Sequence, residues 1–286
     1  MKKLATIFLA LLLGLAMASV GGTDVTTIPN SALTPSTTYY TDTIGGGIGT
    51  PLIMTGGGSA ANVGSSRNDD GFSGPINLGF TNPFLFFSQY YNQFWANNNG
   101  NISFNGGIAA YTPTGPQGAS QPIISPFFAD VDTRNSGSGL MYLRNDIPNE
   151  IIVTWDAVGY FSIHADKLNS FQLVLRGPDY NIPDGEGPIG FFYKTMEWET
   201  GDASGGSGGF GGNPAAVGFG DGSSNGEVLQ GSIQNGISGI VDDHHIWFDV
   251  NLQPIPPEGK VPEPATMILL GSGLLSLVAF RKRFKK

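Results

Sequence analysis

The 286-residue chain has no cysteine. Disulfides, thiolate metal sites and cysteine nucleophiles are therefore excluded, and stability has to come from packing alone. Histidine is nearly as scarce: His164, His244 and His245 are the only three. Charge is thin as well, with 13% of residues ionic and 14 basic against 23 acidic, a net charge of −9. Apart from the two ends, no long stretch keeps the three-four apolar spacing of a helix. What is plentiful is glycine, 43 residues, and proline, 19. Asn, Ser, Thr and Gln supply the polar character, so the surface is suited to hydrogen bonding more than to ionic contact.

The two ends differ from the middle. Met1-Lys2-Lys3, the apolar stretch Leu4–Met17 and the small residues Ala16 and Ala18 form the charged, apolar and cleavable parts of a secretory signal peptide over 1–18. At the far end, 265–280 carries no charge, and Arg281, Lys282, Arg283, Lys285 and Lys286 follow it. A helix of that length spans about 24 Å, short of a hydrocarbon core of about 30 Å. The basic tail stays cytoplasmic by the positive-inside rule, which places everything between the ends outside the inner membrane. Without Lys2, Lys3 and the five basic tail residues, 7 basic residues face 23 acidic ones, a net charge of −16. Such a domain is not a nucleic-acid binder, because that binding needs Lys and Arg to neutralise phosphates.

Pro262-Glu263-Pro264, a short apolar helix and an Arg-rich terminus together resemble the PEP-CTERM sorting signal of exported bacterial proteins, here over 261–286. The resemblance implies recognition by an exosortase-type membrane peptidase, cleavage near Pro262–Pro264 and a setting of exopolysaccharide and biofilm. The same segment would also serve as a permanent single-span membrane anchor.

Between the ends, 19–67 is rich in Gly, Ser and Thr, with short apolar islands, and a compact domain is expected over 68–252. A Pro-rich stalk follows at 253–260. Runs rich in β-branched and aromatic residues at 122–131, 140–144, 150–155, 170–176, 190–198 and 246–250 predict strands. Asn99-Gly100 predicts a hairpin closed by a tight type I′ turn. Pro122 and Pro126 suggest an edge strand or a strand entry. Gly201–Asn213 reads as a flexible insertion. The expected fold is all-β, a sandwich or a barrel, with Phe104, Phe127, Phe128, Trp155, Phe171 and Trp198 in its core.

A second resemblance runs through this middle. Asp69-Asp70-Gly71 is followed in order by INLGF at Ile76–Phe80, NPFLFF at Asn82–Phe87 and NNNGNISF at Asn97–Phe104. PIISPFFADVDT at Pro122–Thr133, IIVTWDAVGYF at Ile151–Phe161, NSFQLVLRG at Asn169–Gly177 and AAVGFGDG at Ala215–Gly222 come next. This order resembles the nidogen-type extracellular (NIDO) domain and implies an antiparallel, sandwich-like module. The glycine-rich insertion and the lack of cysteines depart from that pattern.

Chemistry-bearing residues are few. Asp130 and Asp132 would share one side of a strand and, with Asp156 or with Asp69 and Asp70, could offer hard oxygen ligands to calcium. The alternative is an acidic pair that takes Arg134 as partner and caps the loop to Gly139. Asp179–Gly187 imitates a calcium loop one residue out of register. Gly205–Gly209 fits G-x-S-x-G without the helix that a nucleophile elbow needs. Adjacent His244 and His245 would point to opposite faces of a strand, which suits a loop or edge better than a joint metal site. Glu197 and Glu199 would share a strand face about 7 Å apart, a spacing open to glycoside chemistry.

The expectation is an exported, non-enzymatic surface or matrix protein in cell-matrix adhesion or exopolysaccharide association. Its expected partners are the sorting peptidase and a matrix polysaccharide or surface protein. A secreted carbohydrate-active enzyme or a calcium-dependent glycan-binding module is the alternative.

Overall fold

The computed structural model describes residues 25–116 and 119–256. The signal peptide with Ala16 and Ala18, the end of the stalk and the sorting segment with its apolar helix, Pro262–Pro264 and basic tail lie outside the described residues. Among the described residues no helix is long and apolar enough to cross a membrane.

The first strands are β1 (Val25–Ile28), β2 (Thr34–Pro35), β3 (Thr50–Pro51), β4 (Gly56–Gly57), β5 (Gly71–Phe72) and β6 (Ile76–Asn77). Next come β7 (Phe84–Phe86), β8 (Gln89–Tyr91), β9 (Gln93–Asn97), β10 (Asn101–Ser103), β11 (Pro122–Phe128) and β12 (Leu140–Arg144). The chain continues through β13 (Glu150–Tyr160), β14 (His164–Arg176), β15 (Ile189–Met196), β16 (Ala216–Asp221), β17 (Gly226–Leu229) and β18 (His244–Phe248). Among the described residues there are also two short α-helices, α1 (Tyr40–Ile44) and α2 (Ile237–Val241), and 3-10 turns at Asn30–Ala32 and Asp202–Ser204.

These strands form two main sheets. One runs β1-β17-β16-β11-β10-β9-β5-β4, with β6 also on β9, and the other runs β2-β18-β15-β14-β13-β12-β3. β7 and β8 make a separate hairpin. β1 lies parallel to β17, and the remaining ladders are antiparallel.

Strand alternation explains how the sheets face each other. Ile151, Val153 and Trp155 of β13 and Phe171, Leu173 and Leu175 of β14 share one core with Phe94, Ile102, Ile124 and Phe127 of the opposing sheet. The intervening Ile152, Val174, Phe192 and Trp247 point the other way, and Tyr40 of α1 covers them. Both faces are therefore buried, which is why β13 to β15 read as nearly unbroken apolar runs. All six aromatic residues expected in the core are buried. Trp155 Nε1 donates to Asn98 O and Trp198 Nε1 to Val158 O, each at 3.0 Å, so neither indole N–H is left unpaired.

The structure revises several local expectations. Residues 25–67 place β1 and β4 in one sheet and β2 and β3 in the other, so the folded body begins well ahead of Asn68. The Asn-Gly hairpin is not a two-residue type I′ turn. Asn97 pairs with Asn101, leaving Asn98, Asn99 and Gly100 in the loop, and of these only Gly100 has positive φ, at 76°. A Cβ at Gly100 would stand 1.8 Å from Phe127 O, so no other residue fits there. β11 is central, between β10 and β16. It tolerates its prolines because Pro122 is its first residue and Pro126 lies where the register slips between Ser125 and Phe128.

Gly201–Asn213 is a folded loop. Gly209 O accepts N–H bonds from Glu199 at 2.8 Å and Thr200 at 3.1 Å, and Asn213 N donates to Ser204 O at 2.9 Å. His244 and His245 lie within a paired strand, between β15 and β2.

Candidate functional site

Three loops and a strand end converge at one place. Asn68 and Thr133 are tied by three backbone-involving bonds, Asn68 N to Thr133 Oγ1 at 2.7 Å, Thr133 N to Asn68 O at 2.9 Å and Thr133 Oγ1 to Asn68 O at 3.0 Å. The next residues, Asp69 and Asp132, form a bridge. Asn98 of the β9–β10 turn joins from the side: its N–H donates to Gly71 O at 2.7 Å and its Nδ2 donates to Val131 O. Asn99 continues the connection, accepting from Val131 N and donating to Asp70 Oδ1, both at 2.9 Å. The loop after β15 closes the fourth side, where a Cβ on Gly201 would come within 2.5 Å of Asp130 Oδ2.

Asp69, Asp70 and Asp130 each bring one carboxylate oxygen to this point, and these oxygens lie within 4.8 Å of one another. Asp69 and Asp130 are buried and Asp70 is half-buried. Burial, reinforced by the neighbouring carboxylates, pushes Asp69 up to about 7 and Asp130 up to about 8. Asp70 is raised by burial, against the pull of the Asn99 hydrogen bond and Arg134.

The structure brings Asp130 together with Asp69 and Asp70 and engages Asp132 elsewhere. Asp132 Oδ1 accepts from Arg134 N and Nε, both at 2.9 Å. Its Oδ2 accepts from Arg134 Nη2 at 2.5 Å and from Ile163 N at 2.9 Å. Four donors fill both oxygens, so Asp132 is the partner of Arg134 and holds the turn to Ile163. Arg134 Nη2 also lies 2.9 Å from Asp69 Oδ2, as an ion contact outside hydrogen-bond geometry. Asp156 lies apart, accepting the Tyr39 hydroxyl at 2.8 Å. The sequence signal for Asn98, Asn99 and Gly201 is weak because turn chemistry and low complexity account for all three residue types.

The other candidates are absorbed by the framework. Glu199 lies beyond the end of β15, buried, and accepts from Gly236 N, Ser238 N and Ser238 Oγ at 2.9–3.2 Å, so it caps α2. Glu197 is exposed and accepts from Leu168 N at 2.7 Å, so the two glutamates do not share a strand face. Glu186, within the imitation calcium loop, binds Arg176 Nη2 at 2.5 Å. His164 meets Asp202 at 3.0 Å, far along the chain from the other histidines.

The fold and the loop cluster define a β-sandwich module whose chemistry is gathered in the connections between strands. The chain belongs to the NIDO-related family, which it matches over residues 47–242. Residues 260–283 match the PEP-CTERM protein-sorting motif. Over 183 residues the chain is 33% identical to alpha-tectorin of Gallus gallus and 32% identical to alpha-tectorin of Homo sapiens, in each case 54% of this chain and 8% of the relative. It is 27% identical over 130 residues to nidogen of Drosophila melanogaster, 37% of this chain and 10% of that protein. The chain thus spans a tenth or less of the length of these relatives. No solved structure matches it. A NIDO-related domain and a PEP-CTERM motif on one chain mark an exported protein carrying an exosortase-type sorting signal.

Proposed function

We propose that this protein works at the cell surface or in the extracellular matrix as a non-enzymatic adhesion module, binding matrix polysaccharide or a surface protein. The observation that carries this reading is the joining of a NIDO-related domain to a C-terminal sorting motif in a single chain. The chemistry of the described surface supports it. The exported part is strongly acidic, and Glu197 and Glu199, the pair that sequence spacing offered to glycoside chemistry, are engaged by backbone donors. The sorting peptidase is the partner that the motif implies, and cleavage near Pro262–Pro264 would release the domain from its membrane segment.

The test is fractionation of the native host followed by binding. The protein should co-fractionate with surface or matrix material, and protein recovered from that fraction should rebind the host's isolated polysaccharide or stripped cells. A deletion strain should retain less matrix. Protein that stays in the inner-membrane fraction and binds neither cells nor matrix would overturn the adhesion reading.

A further inference from the structure

Around the cluster of Asp69, Asp70 and Asp130, the residues that meet it carry buried oxygens with no hydrogen-bond partner. Asn68 Oδ1, both carboxylate oxygens of Asp69, Asn98 Oδ1, Asp130 Oδ2 and Thr200 Oγ1 are all buried without a hydrogen-bond partner. Asp69 Oδ1 has no partner of either kind, while Asp69 Oδ2 has only its 2.9 Å ion contact with Arg134 Nη2. These residues are neighbours through the links already described: Asn68 through Thr133, Asn98 through Gly71 and Val131, and Thr200 through Gly201 against Asp130. Buried polar atoms are ordinarily satisfied, and leaving one unpaired is destabilising. Three carboxylates within reach of one another, with Asp69 Oδ1 and Asp130 Oδ2 buried and without a hydrogen bond, therefore call for a ligand that accepts electron pairs. Arg134 does not supply it, since its guanidinium is bound to Asp132 and touches only Asp69 of the three.

We propose that Asp69, Asp70 and Asp130 bind a Ca²⁺ ion, with the unpaired amide and hydroxyl oxygens around them as its neutral ligands. The spacing fits. Calcium–oxygen distances of about 2.3–2.6 Å allow ligand oxygens up to about 5 Å apart, and the carboxylate oxygens here lie within 4.8 Å. The donor set is all oxygen, with no histidine or thiolate, which selects a hard cation over zinc or copper. Its ligands come from loops of irregular geometry, which suits the large, flexible coordination shell of Ca²⁺ better than the compact octahedron of Mg²⁺. The ion joins segments distant in sequence: the strand entry at Asn68–Asp70, the turn at Asn98–Gly100, the end of β11 and the loop at Thr200–Gly201. Adhesion by a neighbouring surface would then depend on a calcium-ordered loop cluster.

The test uses the full chain purified in non-ionic detergent and stripped with EDTA, with added Ca²⁺ as the probe. Metal analysis after re-addition and dialysis should find one Ca²⁺ per chain. The melting temperature should rise by about 5–10 °C at a Ca²⁺ concentration a hundredfold above its dissociation constant. Asp130→Asn should lose the shift while melting no lower than the stripped wild type, because it takes one carboxyl group out of a crowded acidic site. Asp70→Asn guards against misfolding. Its position is half-buried and its amide oxygen can still accept from Asn99, so it should fold and bind at least tenfold more weakly. Asp146→Asn, at an exposed site, should keep the full shift. The proposal is overturned if the wild type shows no shift and no bound Ca²⁺. It is equally overturned if Mg²⁺ reproduces the whole shift or if both cluster variants retain it.

Discussion

His245 begins the chemistry of β18 with its ring stacked on Phe192, centroids 5.1 Å apart and planes 7° apart. Its Nδ1 is buried without a partner. Burial, followed by the charge of His244, lowers its pKa, so the folded protein holds this proton less tightly than the unfolded chain does. The unfolded state then binds more protons below the ordinary histidine value of about 6.5, and the stability that depends on neutral His245 is present above that pH and lost as pH falls below it. His245→Phe keeps an aromatic stack without a titrating group. Melting at pH 7.5 and pH 5.5 should therefore show a smaller drop for His245→Phe than for the wild type. Equal drops would mean that His245 is protonated at no cost in the fold. The sequence supplies the histidine pair but not this stack, because the partner ring is on β15, more than fifty residues earlier.

At the scale of elements, Arg176 joins parts of the chain that are far apart in sequence. Its Nε donates to Glu150 Oε2 of β13 at 2.8 Å, its Nη2 to the Tyr40 hydroxyl of α1 at 2.7 Å, and its Nη1 to Gly187 O at 3.1 Å. Its guanidinium carbon also lies 4.3 Å from the Trp247 ring centroid. Both charged side chains of the Arg176–Glu150 pair are fully buried. Removing one partner strands the other's charge, so Arg176→Met should destabilise the fold by about 3–5 kcal/mol in urea titration. Adding Glu150→Leu should recover part of that loss, and a double variant as unstable as the single one would show that the arginine acts through packing alone. The strand pattern of β12 to β15 and β18 was legible because Val, Ile, Phe and Trp crowd those runs. The closure of the Asn98–Gly100 turn was not, because the Asn99 side chain is committed to Asp70 and Val131 and keeps its own backbone out of the positive φ that type I′ requires. Pro126 misleads for a similar reason: a register slip absorbs it in the middle of a sheet. The strands before Asn68 could not be placed in the sheets from sequence, because each is only two to four residues long and is defined by its partner more than by its composition.

At the scale of the molecule, the acidic site and the two addresses were legible to different depths. Sequence spacing brought out Asp130 and Asp132 but could not show that Arg134 would claim Asp132 and leave Asp130 to Asp69 and Asp70. The C-terminal motif, in contrast, is read from order alone, and it leads to a prediction that separates two lives for the same domain. The peptide chain leaves the described fold through Phe248–Pro254, bridged to each other, which anchors the exit of the chain on the sheet. Beyond that exit the sequence carries Pro262-Glu263-Pro264, inside the segment that matches the PEP-CTERM protein-sorting motif at 260–283. Intact mass and C-terminal peptide mapping of the protein from the host's envelope and medium should therefore find chains ending near Pro262–Pro264. Glu263→Ala should shift the population toward chains ending at Lys286 in the membrane fraction. If wild-type protein already ends at Lys286 there, the apolar segment works as a permanent anchor. The domain would then act as a tethered receptor at the inner membrane, and adhesion in the matrix would fall with it.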